Sequence, residues 1–521
     1  MTGAADSPAA PIIVRGRHLL LGVDAQDRVE AVRDGAILCI DGKIAQIGPW
    51  EEIRAANPDV TVLGDGDALV IPGLVDAHHH IGMTPIQLGS PDLPLELWLT
   101  HQWRARAVPP YLDALVSGFE HVASGVTAVQ HLGRMRPAPV SAWPDEAGEV
   151  IRAYRDLGLR VSYAFCNRDQ NRLVYEDDEI FVDSLPEALR DRTRAHLAPH
   201  HFRLEEFESD YLKPMVDRFG AARDPLVRLW LAPINMERAS DALLRKTSQW
   251  AATYGMGIHL HLSETVYQKE YATRRFGKSA VAHLAEIGFL GPHVTLGHGT
   301  WCDAHDMDLI HASGCCICHN ASSNLRLRSG IAPVTEYVAR GIPVALGIDE
   351  AGLNDDRDML QEMRLVKHLH CVPGLEATAL TPAQIFRMAT ETGARAIGFG
   401  DEIGRLAPGR RADMVVLDWP AMTHPFTEPA MPPEAVLIHR AKTEHVRATV
   451  IDGRIVYRDG SPCHVDRAAT LSAVAEAMAA PQPDSAIARG DLSDALLPYI
   501  RAFYDGWPLP EGPAWYVLNG R

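Results

Sequence analysis

Residues 71–80 read IPGLVDAHHH, an apolar run that ends in three consecutive histidines. Side chains alternate between the two faces of a β-strand, so His78 and His80 point the same way and His79 points the opposite way. Two histidines spaced in this way can place two nitrogens on one metal ion, at about 2.0–2.1 Å for zinc. We interpret the stretch as a strand that carries a metal-binding pair, with His79 in a supporting role. The alternative for any one of these histidines is a hydrogen-bonded position in the core.

Outward from this stretch, short apolar runs alternate with helical stretches, a pattern typical of repeated βα units and a parallel sheet. Eight such units favour a closed barrel, the (β/α)₈ TIM barrel of the α/β class. The predicted strands are residues 68–80, 126–133, 160–169, 227–236, 257–264, 294–301, 315–323 and 344–351. The gap between the third and fourth strands is long, and residues 169–226 are predicted to form helices beside the site.

Two β-rich pieces flank the central βα units. Each contains an Asp-Gly pair between apolar runs, at Asp41-Gly42 and Asp452-Gly453, which is a strong hairpin signal. The pattern predicts a small β-sandwich domain built from both chain ends. We place this domain at residues 1–70 and 403–460, the catalytic barrel at 71–402, and a C-terminal helical extension at 461–521. The extension could pack on the barrel, cover the site or form a subunit contact.

Composition excludes several classes of function. Lys and Arg number 50 against 67 Asp and Glu, and the net charge of −17 argues against nucleic-acid or anionic-membrane binding. No apolar run is long enough to span a membrane, and the N-terminal residues lack the pattern of a secretion signal. The eight cysteines are scattered, and the group Cys315, Cys316 and Cys318 is interpreted as a buried strand, with thiolate metal ligation as the alternative. We expect a cytoplasmic protein.

Polar residues stand at the ends of the predicted strands, where functional residues of a (β/α)₈ barrel gather. Buried polar groups need partners, and a shared metal ion supplies one. After the histidines of the first strand, these residues are His131, Asn167, Asp169, Asn235, His261, Glu264, His298, His319, Asn320 and Asp349. His261 and Asp349 are the candidates to complete a ligand set with His78 and His80.

Several of these stretches resemble the amidohydrolase superfamily. IPGLVDAHHH is similar to its signature PGLVDxHxH, HLHLSE resembles HxxE, and VALGIDE resembles LGTDG. VTLGHGTW and CHNASSNLRLRSGIAPV resemble the AHC and HCPxSNxxLxSGxxPV segments of its aminohydrolase branch, which includes cytosine and guanine deaminases and triazine hydrolases. The matches run in family order from about residue 70 to 460.

The resemblance implies specific roles. His78, His80, His261 and Asp349 are the implied metal ligands, and Asp349 also helps to orient the attacking water. Glu264 is the implied proton shuttle, and His298 is the implied catalytic group near that water. His259 rivals His261, but His261 lies three residues before Glu264, as the family motif requires.

The resemblance also bears on the metal count. Binuclear family members use a lysine on the fourth strand, whereas that strand ends here in PINME. We therefore expect one divalent metal per subunit, most simply zinc, with iron or manganese as alternatives and with bridging by Glu237 as a minor alternative. Glu350 after the metal aspartate, NASSN and CHN depart from the family pattern beside the expected pocket.

The expected reaction is attack of a metal-activated water on an sp² carbon of a small heterocycle, with hydrolytic deamination as the first choice. Hydrolysis of a related C–N amide, C–Cl or C–S bond is the alternative. A remote alternative is an inactive binding or assembly protein of the same fold. By analogy with relatives, we expect a homo-oligomer.

Several residues are candidates for substrate contact because they lie at or after the ends of predicted strands. Trp98 and Trp103 could stack on a flat ring or simply pack in the core. His131, Arg168 and Asn324 complete the candidate set. Five arginines follow the predicted strands: Arg134, Arg136, Arg168, Arg326 and Arg328. Some of them could hold a substrate carboxylate through bidentate hydrogen bonds. The alternative is that they pair with Asp355, Asp356 and Asp358 or face solvent.

Overall fold

The computed structural model describes residues 9–507, except residues 81, 136, 138, 221–223, 372–373 and 376–378. Its strands form two sheets. The strands are β1 (Ile12–Val23), β2 (Val29–Ile40), β3 (Lys43–Pro49), β4 (Thr61–Leu63), β5 (Ala68–Pro72), β6 (Leu74–His79), β7 (Val126–Leu132), β8 (Arg160–Cys166), β9 (Val227–Ala232), β10 (Ile258–Leu262), β11 (Val294–His298), β12 (Cys316–His319), β13 (Val344–Leu346), β14 (Met414–Asp418), β15 (Val446–Ile451), β16 (Arg454–Arg458) and β17 (Ser461–Pro462).

Helices join the strands and cover the barrel. They are α1 (Trp50–Ala56), α2 (Leu95–His101), α3 (Pro110–Ala123), α4 (Trp143–Leu157), α5 (Asp178–Ser184), α6 (Glu187–Leu197), α7 (Leu204–Glu206), α8 (Lys213–Phe219), α9 (Asp241–Tyr254), α10 (Val266–Phe276), α11 (Ala280–Glu286), α12 (Ala304–Ser313), α13 (Ala321–Arg326), α14 (Val334–Ala339), α15 (Met359–Leu369), α16 (Pro382–Arg387), α17 (Gly393–Ala396), α18 (Trp419–Thr423), α19 (Pro433–Arg440), α20 (Arg467–Ala479) and α21 (Asp484–Asp505). Single turns of 3₁₀ helix and two π-helical turns, Phe207–Leu212 and Met388–Thr392, interrupt this pattern.

The second sheet is the barrel. In the described residues, β6 to β13 pair in chain order, each parallel to its neighbour. A parallel bridge between His79 and Asp349 closes the circle, and the Asp349 N–H donates to the His78 carbonyl at 2.7 Å. The predicted (β/α)₈ barrel is confirmed, and closure brings the first and eighth strand ends together.

Strand alternation separates the barrel interior from the helix layer. Ala164 and Cys166 of β8 pack inward against Trp230 of β9, whereas Tyr163 and Phe165 pack outward in the large core shared with the helices. Functional residues at the strand ends therefore face either the barrel axis or the helices, according to their parity.

The first predicted strand is wrong in one respect: residues 68–80 form two strands in different sheets. β5 pairs with β14 of the β domain, and β6 pairs with β7 of the barrel. The break falls at Gly73, where a Cβ would lie only 2.0 Å from Thr127 Oγ1. The chain crosses between the sheets at a point that only glycine can occupy without displacing the neighbouring strand.

The first sheet is mixed and draws on both chain ends, as predicted. Its order is β17-β16-β15-β14-β5-β1-β2-β3, and β4 also pairs with β1. Both predicted hairpins are present. Asp41 and Gly42 have φ values of 50° and 75°, and Asp452 and Gly453 have 49° and 70°, the left-handed pair that a two-residue turn needs.

The long connection after β8 and the C-terminal extension are helical, as expected. The second helix of the extension, α21, spans Asp484–Asp505. It packs on α2, where Ser493 Oγ donates to the Thr100 carbonyl at 2.8 Å, and it reaches the loop after β8 through a bond from the Tyr175 N–H to Tyr504 Oη at 3.0 Å. The extension therefore packs beside the barrel mouth; its residues 508–521 lie outside the described residues.

All eight cysteines are free thiols, and six of them are buried. Among the described residues, no group with metal-ligand geometry includes a cysteine, in agreement with the buried-strand interpretation of residues 315–318. Across the same described part of the chain, no helix has both the length and the apolar character that crossing a bilayer requires.

A buried ion pair connects the barrel floor to the β domain. Arg160 of β8 is fully buried, and its Nε and Nη2 donate to the two carboxylate oxygens of Asp413 at 2.6 and 2.9 Å, while Nη2 also bonds Asp452.

We expect Arg160→Met to destabilise the protein by about 3–5 kcal/mol, because it leaves the Asp413 carboxylate buried without its cation. A lower urea midpoint would show this. Arg447→Met, which breaks partly exposed pairs with Asp65 and Asp418, should shift the midpoint far less; equal shifts would contradict the prediction.

Candidate metal centre

The structure brings four of the sequence-predicted side chains together at the carboxyl ends of β6, β10 and β13. Nε2 of His80 lies 3.1 Å from Nε2 of His78 and 3.1 Å from Nε2 of His261. Oδ1 of Asp349 lies 3.4 Å from His80 Nε2 and 3.6 Å from His78 Nε2. The four residues come from positions 78 to 349 of the chain, so only the closed barrel places them side by side.

These separations fit ligands of one ion. Two ligands of a tetrahedral ion with bonds of 2.0–2.1 Å lie about 3.3 Å apart, within the range observed between these nitrogens and the carboxylate oxygen. Three imidazoles and one carboxylate form a donor set that suits zinc and other first-row metals. Burial lowers the pKa of His261 to about 3 and those of His78 and His80 well below their usual value, so the rings are neutral and can ligate.

A chain of buried hydrogen bonds fixes the tautomer of His78. Nδ1 of His78 lies 2.7 Å from Nε2 of His259, whose Nδ1 lies 2.7 Å from Oε1 of Gln130. With the amide oxygen as acceptor, His259 carries its proton on Nδ1 and accepts from His78 Nδ1–H. His78 Nε2 then presents a lone pair to the centre. The structure thus places His259 behind His78 and His261 beside His80.

Hydrogen bonds hold the side chains of His261 and Asp349 in a similar way. Nδ1 of His261 lies 2.6 Å from the Ile234 carbonyl, which leaves Nε2 free for the centre. Ser323 Oγ donates to Asp349 Oδ2 at 2.7 Å, opposite the oxygen that faces the histidines. Such partners hold ligand rings and carboxylates in place and tune their basicity.

The backbone at the strand ends is unusual. His298 and Asp349 have φ values of 68° and 66°. Non-glycine residues rarely adopt this left-handed conformation, and those that do are concentrated at functional sites. Close packing accompanies it: a Cβ on Gly347 would lie 2.6 Å from the His78 Cβ and 2.4 Å from Asn320 Oδ1. Glycine at position 347 lets the first and seventh strands approach the strand that carries Asp349.

Glu264 is buried beside this group. Ser329 Oγ donates to its Oε1 at 3.2 Å, and its Oε2 lies 3.7 Å from Nε2 of His298. Burial, with a smaller effect of Glu96, raises the pKa of Glu264 to about 8. A carboxyl group with this pKa can both hold and release a proton near neutral pH, as a proton shuttle must.

His298 faces the centre from β11. Its Nε2 lies 3.7 Å from Glu264 and 3.8 Å from Asp349 Oδ2, and its Nδ1 lies 2.8 Å from Oδ1 of Asn324. Asn324, predicted to touch substrate, is buried behind His298 and orients that ring. Asn320 Nδ2 approaches the same ring at 3.4 Å.

A pocket with about 480 Å³ of empty space, partly open to solvent, lies beside His80. His131 and Arg134 line it, together with Trp143 and Tyr211. His131 points toward the helix layer, where its Nδ1 lies 3.0 Å from Tyr154 Oη. His131 therefore lines this cavity and lies apart from the group of His78, His80, His261 and Asp349.

The two candidate tryptophans lie apart. Trp98 lines a smaller cavity of about 220 Å³ that Ser323, Arg326 and Glu350 also line, and it packs against Leu327. Trp103 stacks on His196 of α6 with ring centroids 4.0 Å apart and lines neither of these two cavities.

The strand-end arginines differ in their partners. Arg326 pairs with Asp355 at 2.9 Å and with Asp92 at 3.0 Å, as the ion-pair alternative expected. Arg136 lies outside the described residues. Arg168 sits next to Arg172 and Arg238 under the helices that follow β8, and burial with this like charge lowers its pKa to about 9.

His79 belongs to a second buried group on the helix side of β6. Asp76 Oδ2 lies 2.9 Å from His121 Nε2, and the His79 and His121 rings meet edge to face at 4.8 Å. Asp76 Oδ1 also accepts from the backbone N–H groups of His78 and Ile348. This group connects β6 to α3.

Sequence reasoning missed the residues that support the site from behind, namely Gln130, Ser323 and Ser329. Gln130 sits next to His131, and only the strand parity reveals which of the two faces the axis. The serines lie within the stretch CHNASSNLRLRSG, whose resemblance to a family motif was the available signal. Glu237, weighed as a bridging ligand, is in none of the possible ligand groups found among the described residues.

The closed (β/α)₈ barrel, the β domain and the buried histidine–aspartate group are together typical of a class of hydrolases built on this barrel. The chain belongs to the Amidohydrolase family, whose sequence model matches residues 69–456. It is thus a hydrolase that acts on carbon–nitrogen bonds. A second model, described as an imidazolonepropionase-like composite domain of bacteria, matches residues 35–59 in the β domain.

Relatives and solved structures agree with this membership. A 5-methylthioadenosine/S-adenosylhomocysteine deaminase of Syntrophobacter fumaroxidans is 32% identical over 87% of this chain and 94% of its own length. A 5'-deoxyadenosine deaminase of Methanosarcina mazei is 30% identical over 86% and 93%. An adenosine deaminase from Xanthomonas campestris with bound zinc superposes with a TM-score of 0.72 at 23% identity, over 91% of this chain and 99% of that one. Atrazine chlorohydrolase from Arthrobacter aurescens, complexed with zinc, gives 0.73 at 22% identity, over 90% and 100%.

Proposed function

We propose that this protein is a metal-dependent aminohydrolase that removes an amino group from a small heterocycle by hydrolysis. The observation that carries the proposal is the buried group of His78, His80, His261 and Asp349 with the Glu264 carboxyl beside it. The relatives named as deaminases, at 30–32% identity over most of the chain, support the same reaction.

The metal ligands in this proposal are His78, His80, His261 and Asp349, and one divalent ion per subunit fits the donor set. A bound ion of this kind supplies an acidified water nucleophile at neutral pH and polarises the electrophile. Zinc is the proposed metal, supported by the imidazole-rich donors and by the zinc in two structures of the same fold. Iron and manganese remain alternatives that metal analysis separates.

Glu264 moves the proton. Its carboxylate accepts a proton from the attacking water, and the resulting acid delivers that proton to the departing amino nitrogen. Ser329 holds Oε1, so Oε2 is the oxygen directed toward His298 and the centre. Burial raises the pKa of Glu264 toward neutral pH, where a carboxyl group is suited to accept a proton and then to donate it.

His298 and Asp349 position the reacting atoms. Nε2 of His298 faces the space between the Glu264 and Asp349 carboxylates, where it can hydrogen-bond the attacking oxygen or the ring atom that gains charge. Asn324 holds the opposite nitrogen. The cavity beside His80 is the proposed binding site for the heterocycle, with His131 on its wall.

A product assay tests the reaction. Metal-loaded protein is incubated with aminated purines, pyrimidines, triazines, pterins and imidazolones, and ammonia release is measured. Ammonia from at least one class supports deamination. Release of chloride or sulfide, or ring opening without ammonia across matched substrates, contradicts deamination and selects the other hydrolases of the fold.

We also propose domain boundaries at residues 70/71, 402/403 and 460/461, a homo-oligomer, and a cytoplasmic location. The two sheets support these boundaries to within about two residues, since β5 of the first sheet runs to Pro72 and β17 of the same sheet runs to Pro462. The free thiols support a reducing compartment. Limited proteolysis, light scattering and cell fractionation test these three statements separately.

A further inference from the structure

A second cavity borders the metal centre. It has about 220 Å³ of empty space, partly open to solvent, and we call it the Glu350 cavity because Glu350 lines it. Ser323 also lines it, and Ser323 Oγ donates to Oδ2 of Asp349 at 2.7 Å. Glu350 follows Asp349 directly in the chain. The cavity is therefore one hydrogen bond and one peptide bond away from a proposed metal ligand.

One wall of the Glu350 cavity is apolar. Trp98 and Leu327 are buried, pack against each other and line the cavity. The face of an indole ring is a favourable contact for a flat heterocycle. A substrate ring that is bound at the metal centre can therefore extend along Trp98 into this cavity, and the polar lining residues decide which substituents it carries there.

Glu350 is a charged lining residue that makes no ion pair. Arg326 lies 3.0 Å from Asp92, which lines the same cavity, and 2.9 Å from Asp355. By contrast, no hydrogen bond or ion pair joins the Glu350 carboxyl group to another side chain in the part of the chain that the structure describes, and its Oε2 is shielded from solvent. A carboxylate oxygen that is removed from water without a donor costs free energy, so this position favours a ligand that supplies one.

Neighbouring residues hold the segment that carries Glu350. Arg357 is buried, and its Nη2 donates to the Glu350 carbonyl while its Nη1 pairs with Glu120, both at 3.1 Å. On the other side, the Asp349 N–H donates to the His78 carbonyl at 2.7 Å. The backbone around Glu350 is thus fixed, as is required of a side chain that distinguishes between ligands.

We propose that Glu350 is a specificity residue that accepts a hydrogen bond from a second amino group on the heterocyclic substrate, in addition to the amino group that leaves. A carboxylate accepts hydrogen bonds and does not donate them, so it favours an amino substituent and disfavours a carbonyl substituent at the same place. The family pattern LGTDG has glycine at this position and offers no such acceptor. The inference rests on the proposed function of the metal centre and adds the substrate class, a diamino heterocycle.

Ligand binding without turnover tests this role. Full-length, metal-loaded protein that carries Glu264→Gln, so that the ligands stay intact, is titrated calorimetrically with matched pairs that differ by one amino group. The pairs are 2,6-diaminopurine with adenine, 2,4-diaminopyrimidine with 4-aminopyrimidine, and diamino-1,3,5-triazine with amino-1,3,5-triazine. A hydrogen bond to a charged group contributes about 10- to 100-fold, so the diamino member of at least one pair should bind tighter by this factor.

Substitution of Glu350 in the same background identifies the acceptor. Glu350→Ala should abolish the preference for the diamino member, with the metal content measured on the same sample and unchanged. The matched control Glu336→Ala removes an exposed carboxylate from α14 and should preserve the preference.

Two results overturn the proposal: the lack of any pair in which the diamino member binds tighter, which includes the absence of binding, or a preference that survives Glu350→Ala. If Glu350→Ala does not fold or loses the metal, Glu350→Gln keeps the shape of the side chain and removes its charge, and an unchanged preference in that variant overturns the proposal equally. The ammonia assay remains an independent test of deamination, because it accepts any amino heterocycle, and a protein that deaminates nothing still gives a readable titration.

Discussion

Glu264→Gln is expected to retain the metal and to lose about 10²- to 10⁴-fold in kcat. Glutamine has the size and shape of glutamate, so Ser329 and Gln268 keep their partners at this position. It cannot accept a proton, however, and general acid–base catalysis by a positioned carboxylate contributes a factor of this order. Steady-state kinetics on the substrate found by the ammonia screen, with metal content measured on the same sample, check both halves of the expectation.

The control for this variant is Glu270→Gln on α10, which removes a partly exposed carboxylate that pairs with Arg274. Its turnover should match that of the wild type. If Glu264→Gln turned over at the wild-type rate, Glu264 would have no part in proton transfer, and His298 would be the next candidate.

The second large effect concerns the two histidines of the stretch HLHLSE. His261→Ala is expected to abolish tight metal binding and turnover together, because it removes a ligand from the group around His80. His259→Ala is expected to weaken the metal by about 10- to 100-fold while retaining measurable turnover in excess metal, because His259 only orients His78.

Metal titration with a chromophoric competitor measures both affinities, and His305→Ala on the exposed face of α12 serves as the control. The reverse order, with His259→Ala losing the metal and His261→Ala keeping it, would contradict the assignment of the ligands.

The barrel could be predicted from the sequence because the sequence signals for it are local and repeated. Apolar runs, turn residues and strand-end histidines recur at each βα unit, so the architecture and the β domain could be predicted together. The crossing at Gly73 could not, because it depends on the approach of Thr127, more than fifty residues away. The pair between Arg160 and Asp413 joins residues 253 positions apart and leaves no local pattern.

The site shows the same division. Strand alternation places His259 and His261 on the same face, about 6.6 Å apart along the strand, so spacing alone could not choose between them. The structure puts His261 at the strand end, level with His80, and His259 one step deeper. The choice between Gln130 and His131 as the side chain that faces the barrel axis depends in the same way on the exact alternation along β7. A shift of one residue in the expected strand exchanges the faces of these two side chains.

The most direct test is anomalous diffraction at the zinc edge from crystals grown with zinc supplied. The structure predicts one strong peak bonded to Nε2 of His78, His80 and His261 and to Oδ1 of Asp349, at about 2.0–2.2 Å from each. Crystals with these four side chains ordered and no peak between them, or with the ion bound to His259 instead, would contradict the central claim.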